Sequence, residues 1–342
     1  PAEPWGSTLC QRVRQRSYPV REVSGVLFAW LGDEGSTPPA LPVIDAFTAP
    51  GSHVFAFKGL WQCNWLQAFE VGIDPAHASF LHRFLQDEDL SHTYGRQFRG
   101  ASVGTVGGER WPMTRVLREC HRPEIRHELL GDGHTRLTTL RVIDDALTHV
   151  RVTNALFPYT FVIPLSETIT ITQLHVPVDD VNTYWYAFFT SYDQPLDKET
   201  MRNQRLAHMQ LPDYVPKMGR HNDWGYDPAE QRTRTYLGMG EADINVHDQW
   251  AVESMGAIQD RTREHLGTSD KVILANRRML QAAIDTVAAG GQPPRPCTTA
   301  VAPDTIDCIA PAADWERHWA EAVRAKREAA PWRLAAAAEA AS

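Results

Sequence analysis

The stretch from Thr135 to Tyr192 most constrains how this chain can fold. It holds four runs of β-branched and aromatic residues: TRLTTLRVI (135–143), THVRVTNALF (148–157), TITITQLHV (168–176) and TYWYAFFTSY (183–192). Each has strand length, and clusters such as PVDDVN (177–182) separate them with residues that disfavour a ladder. Strands joined this closely pair antiparallel, because a parallel partner needs a crossover of roughly a dozen residues or more.

Helical patterns flank this region. HVFAFKGLWQCNWLQAFE (53–70) alternates like a strand at first and then reads as the start of a helix. In SDKVILANRRMLQAAIDTVAAGG (269–291), Val272, Ile273, Met279, Leu280, Ala283, Ile284 and Val287 fall on one helical stripe, with Ser269 as N-cap and Gly290-Gly291 as the stop. The tail ADWERHWAEAVRAKREAAPW (313–332) is a polar amphipathic helix suited to a surface or a neighbouring subunit. Near the start, SYPVREVSGVLFAWLG (17–32) reads as two strands around Ser24-Gly25, the second spanning Val26 to Leu31. The Pro- and Gly-rich DEGSTPPALPVIDAFTAPG (33–51) follows as a linker. The fold class expected is α+β: an antiparallel sheet gripping a long helix, with a boundary that divides 1–45 from 46–342.

Composition narrows the function classes. Of 342 residues, 43% are hydrophobic and 22% charged, a globular balance with room for a sizeable core. The formal charge is −8 with no long Lys/Arg cluster, which argues against nucleic-acid or anionic-membrane partners. No apolar run approaches membrane-spanning length and no secretory leader opens the sequence, so no membrane association is expected. The five cysteines, Cys10, Cys63, Cys120, Cys297 and Cys308, form no Cys-x-x-Cys pair. They suit a reducing cytoplasm better than a disulfide scaffold or a thiolate zinc site.

The segment NWLQAFEVGIDPAHASFLH (64–82) gathers Glu70, Asp74, His77 and His82 among apolar residues. A core avoids such groups unless they are paired or metal-bound. Asp74 and Pro75 are a helix-start signal. His82 is five residues beyond His77, about 140° around an ideal helix, so both can reach one ion only across a bend, a break or a π-bulge. Two imidazoles and a carboxylate on one face of an ion make the facial triad of non-haem iron oxygenases, which leaves positions open for dioxygen. A lone His-x4-His pair is more often two ordinary histidines than a metal site.

Asn64-Trp65 followed by Asp74, His77 and His82 resembles the iron-binding segment of the Rieske non-haem iron aromatic-ring oxygenases. KGLWQCNWLQAFEVGIDPAHASFLH (58–82) is similar to the phthalate dioxygenase subgroup of terminal oxygenase components, and NVHDQWAVESMG (245–256) supplies the distant Asp248 and then Glu253. The resemblance spans about Tyr18 to Leu280. It implies mononuclear Fe(II) held by His77, His82 and Asp248, rather than by the adjacent His247. It implies that Asp74 bridges His77 to a cluster histidine of a neighbouring subunit in a head-to-tail homotrimer. It also implies a Rieske [2Fe–2S] cluster, but its Cys-x-His and Cys-x2-His ligand pairs do not occur in this sequence. Residues 1–45 then read as the last strands of a partial Rieske β-domain plus linker, with the cluster in a preceding segment, and 46–342 as the catalytic helix-grip domain.

The implied activity is that of a terminal oxygenase that takes electrons from an NAD(P)H-dependent reductase of flavin/ferredoxin type. It would use O₂ to dihydroxylate, or to O-demethylate, a carboxylated aromatic compound. Arg99, Arg141 and Arg151 are candidates for the carboxylate, and Phe161, Ile171 and Trp185 for the pocket walls. His175 reads as a satisfied sheet residue, and Glu70 as a group behind the metal site or on a solvent-facing helix surface. Two rival readings remain: a zinc hydrolase using the same His, His and Asp, and a non-enzymatic helix-grip ligand-binding module.

Overall fold

The computed structural model describes residues 3–33, 35–86, 102–240, 243–295 and 305–333. Arg99 lies outside the described residues. After the single turn α1 (Leu9–Arg12), β1 (Val20–Val23) and β2 (Val26–Ala29) form a hairpin. Ser24 and Gly25 turn it with φ of 51° and 83°, the left-handed pair that a tight two-residue hairpin needs. Leu31, expected in β2, lies beyond it and is exposed. Helix α2 (Asp45–Thr48) follows and packs Phe47 edge-on against Phe28 of the hairpin.

The body begins with β3 (Val54–Trp61), α3 (Trp65–Gly72) and α4 (Ala78–Leu81). A small hairpin, β4 (Ser102–Val106) and β5 (Glu109–Pro112), leads into α5 (Met113–Glu119). Six strands then run in succession: β6 (Glu124–Gly131), β7 (His134–Val142), β8 (Leu147–Leu156), β9 (Thr160–Pro164), β10 (Ile169–Pro177) and β11 (Thr183–Ser191). Beyond them lie α6 (Lys198–Ala207), the short pair β12 (Met209–Gln210) and β13 (Val215–Pro216), and α7 (Pro228–Thr233). Helices α8 (Asn245–Glu253) and α9 (Lys271–Ala288), strand β14 (Cys308–Pro311) and helix α10 (Trp315–Glu328) complete the chain.

One antiparallel sheet in the order β3-β11-β10-β9-β8-β7-β6 carries the fold, with β14 paired to the far half of β8. The four runs read from the sequence are β7, β8, β10 and β11. The short β9 and the largely exposed edge strand β6 carry weaker alternation and were not among them.

Side chains alternate across this sheet. One face presents Ile125, Leu137, Ala155 and Phe161 to Phe69 and Ile73 of the α3 segment and to Val272 and Ile273 of α9. The other presents Leu140, Val150 and Val152 to Trp315 and Trp319 of α10. Burying one such aromatic ring contributes about 1.5–3 kcal/mol, so this contact helps to hold α3 on the sheet.

The α9 stripe is shorter than its periodicity. Val272, Ile273 and Ala283 are buried, but Ile284 and Val287 are exposed, because the last turns run past the surface on which the helix packs. Asp270, not Ser269, occupies the N-cap position, since Thr268–Asp270 forms a separate 3₁₀ turn.

Glu70 does not face solvent. It is buried and accepts hydrogen bonds from Arg277 Nε (2.6 Å) and Nη2 (2.7 Å) and from Arg261 Nη1 (3.0 Å), tying α3 to α9. Gly72 closes α3 against the sheet. A Cβ there would lie 2.1 Å from the Phe161 ring, so no larger residue fits without displacing it.

Candidate metal centre and cavity

The break that His77 and His82 need is built into the local fold. Asn64 caps α3 by accepting from Leu66 N at 3.0 Å, and Asp74 Oδ1 turns the chain by accepting from Ala76 N at 2.8 Å. Helix α4 is a single turn with His77 at its N-cap and His82 at its C-cap. His82 leaves helical geometry at φ −100°, ψ 21°, so both rings swing to one side, 5.3 Å apart and nearly perpendicular.

Helix α8 brings Asp248 to the same point. His77 Nε2 lies 3.6 Å and His82 Nε2 3.1 Å from Asp248 Oδ1, and the three ligand atoms sit within 4.8 Å of one another. The protonation pattern follows from the other ring nitrogens. His77 Nδ1 faces the carbonyl oxygen of Asp74, which can only accept, so Nδ1 carries the proton and Nε2 is bare. His247 donates Nε2–H to Gly240 O at 2.9 Å, which leaves its Nδ1 to accept from His82 Nδ1 at 3.5 Å, and His82 Nε2 is bare as well. Two imidazole lone pairs thus converge on a buried carboxylate oxygen that has no hydrogen-bond partner among the described residues. A cation among the three groups resolves that arrangement, so the residues present fit a divalent metal.

The electrostatics agree with ligand chemistry. Burial pushes the His77 imidazole below its ordinary value and keeps it neutral, against the opposing pull of Asp248 and Asp74. Burial raises the Asp248 carboxyl, but His82, His77 and His247 in their protonated forms outweigh it and lower the group, a role that a cation among the neutral imidazoles would take over. His247 thus supports His82 from behind and stands outside the three converging groups, a placement suited to orienting an imidazole. The sequence signal for that role was its place beside Asp248; the carbonyl it uses could not be read. The Asp74 carboxylate is half-buried, with Oδ2 3.9 Å from His77 Nδ1.

The three groups open onto a cavity of about 150 Å³ between α3–α4, α5 and the sheet. Its walls include Leu137, Phe161, Ile163 and Ile171, so two of the candidate wall residues, Phe161 and Ile171, line this cavity. Arg141 and Arg151 also reach the lining. Trp185 does not. It is buried one layer behind, 6.0 Å from the Trp61 ring, because its position in β11 lies next to β3 rather than over the cavity.

His175 shares the cavity-facing side of β10 but is covered by Trp61, Phe69 and Phe161, at ring distances of 5.7, 6.2 and 5.3 Å. Both its nitrogens lack partners among the described residues, so it is not the satisfied sheet histidine expected. Burial pushes its imidazole down to about 3.

A sheet gripped by helices, with a His, His, Asp group at the mouth of an apolar cavity, defines a helix-grip domain with a candidate facial-triad centre. The chain belongs to the LigXa C-terminal domain-like family, whose model matches residues 29–333. The phthalate 4,5-dioxygenase oxygenase subunit of Pseudomonas putida is 28% identical over 84% of this chain and 64% of its own length. The 3-chlorobenzoate-3,4-dioxygenase oxygenase subunit of Comamonas testosteroni is 25% identical over 82% and 64%. The 5,5'-dehydrodivanillate O-demethylase oxygenase subunit of Sphingobium sp. is 22% identical over 82% and 55%. The chain thus spans less than two thirds of the length of these relatives. Among solved structures, dicamba monooxygenase bound to dicamba matches 80% of this chain and 71% of its own at 13% identity and a TM-score of 0.45. The resemblance to the oxygenase subunits of the phthalate dioxygenase subgroup therefore holds. Among the described residues, no helix is long and apolar enough to cross a membrane.

Proposed function

We propose that this chain is the catalytic part of a terminal oxygenase acting on an aromatic carboxylate, with His77, His82 and Asp248 as the ligands of a mononuclear Fe(II). Bound there, the metal would supply O₂ activation. The observation that carries the reading is the convergence of His77 Nε2, His82 Nε2 and Asp248 Oδ1 at the mouth of a cavity whose wall holds a buried arginine.

The chain's own residues do the rest. Asp74 O and His247 fix the two imidazole tautomers and aim them. Leu137, Phe161 and Ile171 clamp an aromatic ring and exclude water from the reacting carbon. Arg141 is buried at 1% exposure; it spends Nη2 on Pro75 O at 2.8 Å, while Nε and Nη1 have no partner among the described residues. Its guanidinium is pushed down to about 10 by burial and still charged at neutral pH, and a ligand carboxylate would satisfy it.

Ring hydroxylation and O-demethylation differ in which carbon the cavity presents to the metal. Electrons would come from a separate NAD(P)H-dependent reductase by way of a Rieske [2Fe–2S] cluster. Asp74, half-exposed beside His77, would carry them from a neighbouring subunit of a homotrimer.

The test is anaerobic titration of the chain with Fe(II), followed by benzoates and methoxybenzoates with hydrogen peroxide as the source of both oxygen and oxidising equivalents. The reading expects one iron per chain and hydroxylated acids or formaldehyde. A chain that retains only zinc and hydrolyses esters without forming any oxygenated product would refute it.

A further inference from the structure

We infer that the cavity selects a one-ring ligand with a single carboxylate, and that Asp307 sets this limit by holding Arg151 in an internal ion pair. The inference rests on the proposal that the cavity takes an aromatic carboxylate, and it deepens that proposal to a substrate class.

Among the described residues, three arginines reach the cavity lining: Arg141, Arg151 and Arg205. Arg205 Nη1 is 3.1 Å from Asp243 Oδ1, both buried. Arg151 Nη1 is 3.3 Å from Oδ2 of the fully buried Asp307. Arg141 is the one whose nitrogens Nε and Nη1 have no partner among the described residues. Two of the three charges are thus matched from behind the wall, and one is left for the ligand.

Asp307 is held firmly in that role. Strand β14 pairs Cys308 with Val150, which brings Asp307 alongside Arg151. Asp307 N donates to Ser166 O at 3.1 Å, and Thr305 Oγ1 donates to Val152 O at 2.6 Å. His149 Nε2 lies 3.2 Å from Asp307 Oδ1, but burial keeps that imidazole neutral, so the carboxylate's direct ion pair is with Arg151, and only its longer-range field reaches Arg141. A second ligand carboxylate at Arg151 would meet a charge already neutralised by Asp307 and would be repelled by that carboxylate. Size points the same way: an apolar cavity of roughly this volume holds a benzene ring in another protein, which leaves little room for a second ring here.

The test compares binding of benzoate and benzene-1,2-dicarboxylate to the full Fe(II)-loaded chain by calorimetry at pH 7.5. Wild type is expected to bind the monoacid at least about tenfold tighter. Asp307→Asn frees Arg151, so the diacid should gain at least about tenfold while the monoacid stays within about twofold. Because the single variant leaves a buried cation unpaired, the double variant Asp307→Asn/Arg151→Gln is the second arm. It removes both charges and should return the wild-type preference. The inference is overturned if wild type prefers the diacid, if Asp307→Asn moves both ligands alike, or if the double variant favours the diacid over the monoacid. Arg141→Gln should weaken both acids at least about tenfold. If it changes neither, or if wild type binds neither acid, the aromatic-carboxylate reading itself fails.

Discussion

Replacing His175 with leucine tests how the core pays for a polar group it does not use. The imidazole lies within 6.2 Å of three aromatic rings, and neither nitrogen has a partner among the described residues. Burial pushes its value from 6.5 to about 3. An unfolded imidazole takes up a proton below pH 6.5, whereas the folded one stays neutral until about 3. Stability is therefore complete above the unfolded value and drains away as pH falls between the two. At pH 5 the loss is about 2 kcal/mol relative to pH 8, from the proton-linkage relation. His77, His134 and His149 are lowered by burial too and drain stability in the same direction, but they remain in the variant, so the difference isolates His175. Urea unfolding at pH 8 and pH 5 is the assay. His175→Leu should be at least as stable as wild type at pH 8, since an unpartnered buried polar group costs about 1–3 kcal/mol. It should also lose about 2 kcal/mol less than wild type on going to pH 5. Equal losses in the two proteins, or a variant weakened by more than about 2 kcal/mol at pH 8, would show that the imidazole has a partner or a packing role that outweighs its burial.

His77→Ala, His82→Ala and Asp248→Ala should each abolish stoichiometric Fe(II) binding while leaving circular dichroism and urea midpoints near wild type; retained iron in any one variant removes that residue from the ligand set. Asp74→Asn should keep iron, because Asp74 reaches His77 through its backbone carbonyl, yet nearly stop reductase-driven turnover; wild-type turnover would reduce Asp74 to a turn-former. Gly72→Ala should destabilise the fold by roughly 1–3 kcal/mol through overpacking against Phe161, and an unchanged melting temperature would mean that the ring yields freely. Glu70→Gln should cost about 1–3 kcal/mol by weakening charge-assisted bonds from Arg261 and Arg277, measured by the same urea titration.

Local pattern determined much of this protein. The alternation in 135–157 and 168–192 places β7, β8, β10 and β11, because a half-buried strand writes its period directly into neighbouring residues. The five-residue spacing of His77 and His82 already demanded a break, and the single turn of α4 supplies it. Asp248 came from resemblance, not from local pattern, since it lies 166 residues beyond His82 and nothing in its own helix marks it as a ligand.

What joins distant segments was decided only in three dimensions. Glu70 looked like an ordinary helix carboxylate until α9 brought Arg277 to it. Arg141 and Arg151 were indistinguishable as alternating strand residues. They differ because a four-residue strand, β14, pairs with β8 and sets Asp307 against one of them. Trp185 read as a pocket wall and His175 as a satisfied sheet residue, but the core encloses the one and three rings cover the other without giving its nitrogens a partner among the described residues. Periodicity specifies which face of an element is buried. What that face meets depends on contacts between segments far apart in sequence, and local pattern carries no record of them.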